Sequence, residues 1–224
     1  MNDVVIVGIG GMALEMLDLI DACNQAEHIY RPLGFVVDPQ YGTPGDVIQD
    51  LPILGGFDWL EQNASVVSVV CAIGESHRRY RVVNRLLGMS CRFTSLVHPW
   101  TRQWLQHAVS YGDGVILNGN ITSGRIRIGS YVYFNALAVV GHDCTLMDFT
   151  TLAPGVHIDG YVTIETGSSI GTGAVVLPKV RVGEWSTIGA GSVISKDVEP
   201  NTTVLSAHQR VTSRREAGWH LLPD

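Results

Sequence analysis

ILNGNI TSGRIR IGSYVY FNALAV VGHDCT LMDFTT LAPGVH IDGYVT IETGSS IGTGAV VLPKVR VGEWST IGAGSV ISKDVE: residues 116–199 divide into fourteen six-residue words of one pattern. Thirteen of the fourteen open with Ile, Val, Leu or Phe; Thr122 is the exception. The fifth place holds Ala, Cys, Ser, Thr, Val or Ile in every word but one, which has Asn120. A period of six sustained in phase predicts a parallel β-helix, in which each word supplies a short strand and a corner. The opening side chain points into the bore, the fifth packs under the next corner, and three words close one triangular coil of 18 residues. Such regularity argues against a β-sandwich. Gly129, Gly171, Gly183 and Gly189 are expected at corners that need a positive φ.

Composition narrows the class of protein. The chain has 224 residues, 46% hydrophobic and only 16% charged, against about 25% charged in an average domain. That is enough apolar material for a core and excludes disorder. The net charge of -6 argues against nucleic acid as a partner, because phosphate binding needs a basic face. Four scattered cysteines (Cys23, Cys71, Cys91 and Cys144) lack C-x-x-C spacing, so neither structural zinc nor a disulfide framework is expected. The first twenty residues carry Asp3, Glu15 and Asp18 and no basic leader region, which is unlike a signal peptide. No apolar run approaches the roughly 20 residues of a membrane helix. A cytoplasmic protein without a membrane partner is expected.

The part before the repeats alternates strand and helix. Val4–Val7 reads as a buried strand, Gly8–Ala13 as a tight turn into a helix, and Leu33–Asp38 as a second strand. Residues 39–56 read as loop-rich. Val66–Ile73 reads as a third strand, Glu75–Leu87 as a helix and Phe93–Val97 as a fourth strand. This alternation implies a small parallel sheet. The expected organisation is a Rossmann-like α/β domain over 1–99, a β-helix domain over 100–205 and a C-terminal tail over 206–224.

Two motifs carry chemistry. Gly8-x-Gly10-Gly11-Met12-Ala13 fits G-x-G-x-x-G/A between a strand and a helix, where backbone amides and the helix dipole cradle a diphosphate. Asp38, closing the second strand, stands where a ribose or base contact belongs. So few strands, and no dehydrogenase-type second domain, favour a nucleotide-sugar diphosphate over NAD. The second motif is His142-Asp143, near a corner of the coil. Steps of 18 place Gly124 and Gly160 on either side of His142, leaving room for a ligand. An imidazole with a neighbouring carboxylate suits general-base work near neutral pH. Cys144 reads as an inward packing residue. His157 and the junction histidine His98 are weaker candidates. Spacing such as that of His142 and His157 does not suit a metal, and none is expected. Arg125, Arg127, Lys179, Arg181, Arg210, Arg214 and Arg215 are candidate contacts for coenzyme A phosphates, or plain solvated surface.

With Ala72-Ile73-Gly74 ending the third strand, Val97-His98-Pro99 at the junction and His-Asp-Cys in the repeats, the chain resembles the sialic acid O-acetyltransferase / nucleotide-aminosugar N-acetyltransferase family, which includes bacillosamine- and perosamine-type N-acetyltransferases. The similarity runs over residues 3–205. It implies a left-handed coil and a homotrimer with acetyl-CoA in the cleft between coils. It also implies His142 as base with Asp143 beside it, and Gly160, Thr172 and Ala190 near coenzyme A. The nucleotide of a sugar substrate would meet Gly8, Gly10, Gly11, Met12, Ala13 and Asp38. The implied reaction is N-acetylation of a UDP- or GDP-linked 4-amino-4,6-dideoxy sugar. Alternatives are O-acetylation of sialic acid or another hydroxyl, and a non-catalytic nucleotide-binding trimer. Met12, Glu75 and Thr151 stand where family members often carry His, Asn and His, and Val204–His208 replaces the usual C-terminal signature.

Overall fold

The computed structural model describes residues 1–104, 109–121 and 124–205. The expected tail over 206–224, with Arg210, Arg214 and Arg215, lies outside the described residues.

The first part is a six-stranded sheet. Its strands are β1 (Asn2–Val7), β2 (Tyr30–Val36), β3 (Val47–Ile48), β4 (Leu51–Gly55), β5 (Ser68–Cys71) and β6 (Arg92–Phe93), in the order β3-β4-β2-β1-β5-β6. All neighbours are parallel except the β3/β4 edge pair. The segment read as loop-rich therefore contains two strands. Pro52 and the short span of β3 hid them, because proline is tolerated only where a strand lies at or near a sheet edge. Helices α1 (Gly11–Ala26), α2 (Phe57–Asn63) and α3 (Ser76–Gly88) cover the sheet. Helix α1 buries Ala13, Met16, Leu19, Ile20 and Cys23, spaced as one helical face must be. That face packs on Val4, Ile6, Phe35 and Val70. The opposite sheet face packs Val5, Val7, Val36 and Val69 with Leu60 and Leu86.

The expected fourth strand is split. Arg92–Phe93 pairs with β5, whereas Leu96–Val97 pairs with Ile116–Leu117 in the β-helix. The chain thus changes sheets at Thr94–Ser95, and Leu96, Ile116 and Tyr133 share the core beneath α1. The two parts share buried apolar surface instead of joining through a free linker.

The repeats form three parallel sheets that enclose one core. From Arg127 to Ile194 the register advances by 18 residues per coil: Ile128 pairs with Leu146, Leu146 with Ile164 and Ile164 with Val182. The openers Phe134, Val140, Leu152, Ile158, Ile170, Val176 and Ile188 fill the bore, each at 2% exposure or less. Burying each such side chain is worth about 1.5–3 kcal/mol.

Two expectations are corrected here. The repeat is not in phase from Ile116. In the first coil Phe134 pairs with Leu117 and Val140 with Ile121, so Leu117 and Ile121 point inward, one residue before or after the openers read from sequence. This slip explains the exception at Asn120, which is exposed and does not occupy the place assigned to it; Thr122 lies outside the described residues. The phase slips again at the far end, where Val204 pairs with Ile188, 16 residues earlier.

The corner glycines also serve another purpose. Gly129, Gly171, Gly183 and Gly189 do not have positive φ. The left-handed place falls later in each corner, on Gly155, Gly167, Gly173 and Gly191 but also on Tyr131, Leu137, Asp143, Phe149, Tyr161, Lys179 and Trp185. The earlier glycines are required by coil stacking. A Cβ on Gly171 would lie 2.7 Å from the Ala190 nitrogen, and one on Gly183 would lie 2.5 Å from the Pro200 nitrogen. Backbone-to-backbone approach at that range excludes any side chain.

Candidate active site

His142 sits in the corner between Val139–Val140 and Thr145–Leu146. Its side chain is half exposed, and Nδ1 lies 2.8 Å from Asp143 Oδ2. Asp143 is held in turn by Arg125, whose Nε and NH2 donate to Oδ1 and Oδ2 at 2.5 and 2.8 Å. This two-point pair, and secondarily His142, holds the Asp143 carboxyl well below the usual carboxylate range. An ionised carboxylate only accepts, so the proton of the His142–Asp143 bond belongs to Nδ1. The lone pair is then on Nε2.

The ring is positioned from two further sides. Tyr161 meets it edge to face, with centroids 5.1 Å apart. Gly160 lies directly against it: a Cβ there would stand 2.7 Å from both Cε1 and Nε2. Gly160 is the 18-step neighbour of His142, and Gly124 lies on the other side, where its carbonyl accepts from the Asp143 amide at 3.4 Å. The column expected from sequence is therefore present.

Arg125 was expected at most to meet a ligand phosphate, and the structure occupies its guanidinium with Asp143 instead. A sequence signal existed, since Arg125, Asp143, Tyr161 and Lys179 are themselves spaced by 18. Cys144 is inward and 1% exposed, with its thiol on the Asp159 carbonyl at 3.0 Å. Burial pushes that thiol up, which suits packing and not nucleophilic attack. Arg181 is paired with Glu165, and Arg127 reaches Thr145 Oγ1. His157 lies on the Val139–Val140 face of the coil, paired with Val139 and Val175, and not in the His142 corner. His98 accepts from the Trp100 amide at the junction. Among the described residues, no three His, Cys, Asp or Glu side chains group as a metal site.

Thr172 and Ala190 are exposed on a different corner, in the column Ala136, Pro154, Thr172 and Ala190. Within one chain, the His142 column and this column do not meet on one corner.

The second feature is a cleft of about 670 Å³ in the first domain. Gly8, Gly10, Gly11 and Met12 line it together with Tyr41, Ile73, Gly74, Glu75, Arg78 and Arg81. Gly8 has φ +116, and a Cβ there would press on the Ala72 carbonyl at 3.1 Å. Gly10 and Gly11 differ: beyond the adjoining backbone, a Cβ at either would meet no atom within 4 Å. Their lack of a side chain is not needed by the protein's own packing, and it leaves open space at the N-terminus of α1, where amides and dipole favour an anion. Ala13 is fully buried in the core and does not line the cleft. Nor does Asp38, whose carboxylate caps the following turn through the Gln40 amide at 3.2 Å. The sequence pattern missed Tyr41, Arg78 and Arg81, which reach the cleft from other elements.

Residues 3–86 match the PglD N-terminal domain, and residues 161–196 match the bacterial transferase hexapeptide (six repeats). A GDP-perosamine N-acetyltransferase from Escherichia coli is 33% identical over 106 residues, 47% of this chain and 47% of that protein. The chain spans about half the length of the curated relatives it matches, 47% and 49% for two of them. Among solved structures, the acetyltransferase domain of PglB from Neisseria gonorrhoeae FA1090, in complex with acetyl coenzyme A, is 26% identical with a TM-score of 0.77. It covers 92% of this chain and 96% of that one. PerB from Caulobacter crescentus, in complex with CoA and GDP-perosamine, has a TM-score of 0.78 at 24% identity, covering 95% and 98%. That second likeness concerns the fold alone, and it supports a left-handed winding of the coil.

Proposed function

We propose that this chain, in which a PglD N-terminal domain runs into bacterial transferase hexapeptide repeats, is an acetyl-CoA-dependent N-acetyltransferase of a nucleotide-linked 4-amino-4,6-dideoxy sugar. The observation that carries this reading is the Arg125–Asp143–His142 relay, which leaves Nε2 as an available base above Gly160. The relatives' printed activities and ligands supply the donor and acceptor class.

The chemistry balances without a protein nucleophile. Nε2 takes a proton from the sugar ammonium, and the freed amine attacks the thioester carbonyl. The C–N bond forms, the tetrahedral oxyanion collapses and the C–S bond breaks. The imidazolium releases that first proton to solvent, and the second proton, shed by the nitrogen as the amide forms, passes through Nε2 to the departing coenzyme A sulfur. Such a base contributes about 10²–10⁴-fold. The open Gly10–Gly11 turn supports diphosphate binding in a Rossmann-like domain over 1–99, with the transferase coil over 100–205.

Gly160 shares the corner of His142, whereas Thr172 and Ala190 stand on another. A coenzyme held by Thr172 and Ala190 meets the base only if a second copy brings its His142 corner there. This supports a homotrimer with acetyl-CoA between coils.

The test is release of coenzyme A thiol from acetyl-CoA with UDP- and GDP-linked 4-amino-4,6-dideoxy sugars. His142→Asn is expected to lower kcat by at least about 10²-fold with acetyl-CoA affinity unchanged. Near-wild-type turnover in that variant removes His142 as the base. Turnover with a sugar hydroxyl and none with the amine replaces the reading with O-acetylation.

A further inference from the structure

Arg79 is a buried cation that the reaction just proposed does not use. It lies on the covered face of α3, 2% exposed, at the seam between the sheet domain and the coil. Among the described residues, no carboxylate pairs with it. Nε donates to the Tyr131 carbonyl at 2.9 Å, and NH1 donates to Ile73 and Gly74 at 3.0 and 2.8 Å. NH2 donates to the Phe149 and Thr150 carbonyls and to Thr151 Oγ1 at 2.8, 3.3 and 2.8 Å. Burial pushes its pKa down to about 10, which leaves it charged at neutral pH.

The acceptors fall into two groups. Ile73 and Gly74 line the Gly8–Gly11 cleft, and Ala72, just before them, touches Gly8. Tyr131 and Phe149–Thr150 stand on the same corner of two successive coils, and Thr151 opens the strand that follows. One rigid guanidinium therefore fixes the cleft floor to the coil. Ser76 extends the seam, with its hydroxyl 2.9 Å from Thr151 Oγ1 and 2.8 Å from Ser169 Oγ. A planar fork of five N–H groups can satisfy both groups at once, and a lysine ammonium cannot.

We infer that Arg79 is a positioning residue: it sets the Ile73–Gly74 floor of the nucleotide cleft against the coil, and so sets nucleotide affinity without touching the nucleotide. The inference rests on reading that cleft as the nucleotide site.

The experiment is calorimetric titration of the full chain with GDP, UDP and coenzyme A, paired with amide hydrogen exchange over residues 72–75. Arg79→Lys keeps the charge and loses the fork. It is expected to weaken the nucleoside diphosphate that the wild type binds by about tenfold and to leave coenzyme A within about twofold. Exchange over 72–75 rises, while exchange over the coil strands at 139–140 and 157–158 does not. Unchanged nucleotide affinity, or an equal loss for coenzyme A, overturns the inference. Should Arg79→Lys fail to fold, Thr151→Val removes one acceptor with little change in shape. It is expected to weaken the same nucleotide by about twofold to threefold, and no change there overturns the inference. If the wild type binds neither GDP nor UDP, the nucleotide reading itself falls. Arg79 is then judged by exchange alone, and unchanged exchange over 72–75 overturns its positioning role.

Discussion

Replacing Gly160 by alanine puts one methyl group against the base. The added carbon would lie 2.7 Å from Cε1 and Nε2 of His142 and 3.2 Å from Nδ1. Uncrowded contacts begin near 3.5 Å, so the 2.7 Å approach leaves a shortfall of about 0.8 Å that the ring must make up. The backbone adds no strain of its own, because Gly160 does not have a positive φ. The imidazole is half exposed and has solvent to swing into, but swinging breaks the Nδ1–Asp143 bond that sets its tautomer. Misplacing a reacting group by about 1 Å can lower a rate by about 10²-fold. The expected result is a kcat about 10²-fold below wild type, with stability within about 1 kcal/mol, or about 2–4 °C in Tm. Gly45→Ala is the control. It imposes strain at φ +95 without any collision, so it lowers Tm and leaves kcat alone. The assay is thiol release at saturating acetyl-CoA, alongside thermal unfolding of all three proteins. Wild-type kcat in Gly160→Ala would refute the placement of Nε2 over Gly160 as the working geometry of the base.

Two further outcomes follow from the charges and thiols. Asp143 has a depressed folded-state value, so its contribution is present above the unfolded carboxyl value of about 3.9 and is lost as pH falls toward the folded value. Arg125→Met removes the largest cause of that depression, so urea midpoints measured between about pH 6 and pH 2 should fall less steeply in the variant. A parallel descent in both proteins refutes the pairing. All four cysteines are free and buried, and burial pushes Cys71 up to about 11. Ellman's reagent at pH 8 should label none of them until denaturant is added and then label four. Rapid native labelling of Cys144 would contradict its inward packing.

Much of the coil is legible in the sequence because period six is a packing rule. A side chain that enters the bore at Ile128 forces the same at Phe134 and Val140, and the residue types repeat accordingly. The rule loses its hold at the ends. At Ile116–Leu117 the coil must join the Leu96–Val97 strand and the core under α1, and an outward Ile116 is buried there as well as an inward Leu117. Hydrophobicity no longer tells the two apart. The first strands of the sheet are legible as apolar runs, but the short edge strand β3 and its neighbour β4 owe their pairing to adjacent strands and not to their own pattern.

At the site, His142, Gly160 and Gly124 are readable because one number, 18, converts sequence spacing into spatial contact in a β-helix. The same arithmetic reaches Arg125 from Asp143. It does not reach Arg79, since nothing in α3 announces which coil carbonyls it will meet; those acceptors come from segments 52 to 72 residues away. What the sequence determines alone is what periodicity and local turn chemistry can encode: the coil, the glycine turn and the histidine column. Only the tertiary structure decides how the sheet domain seats on the coil. That seating depends on non-local hydrogen bonds and shared burial, whose partners leave no repeating mark along the chain.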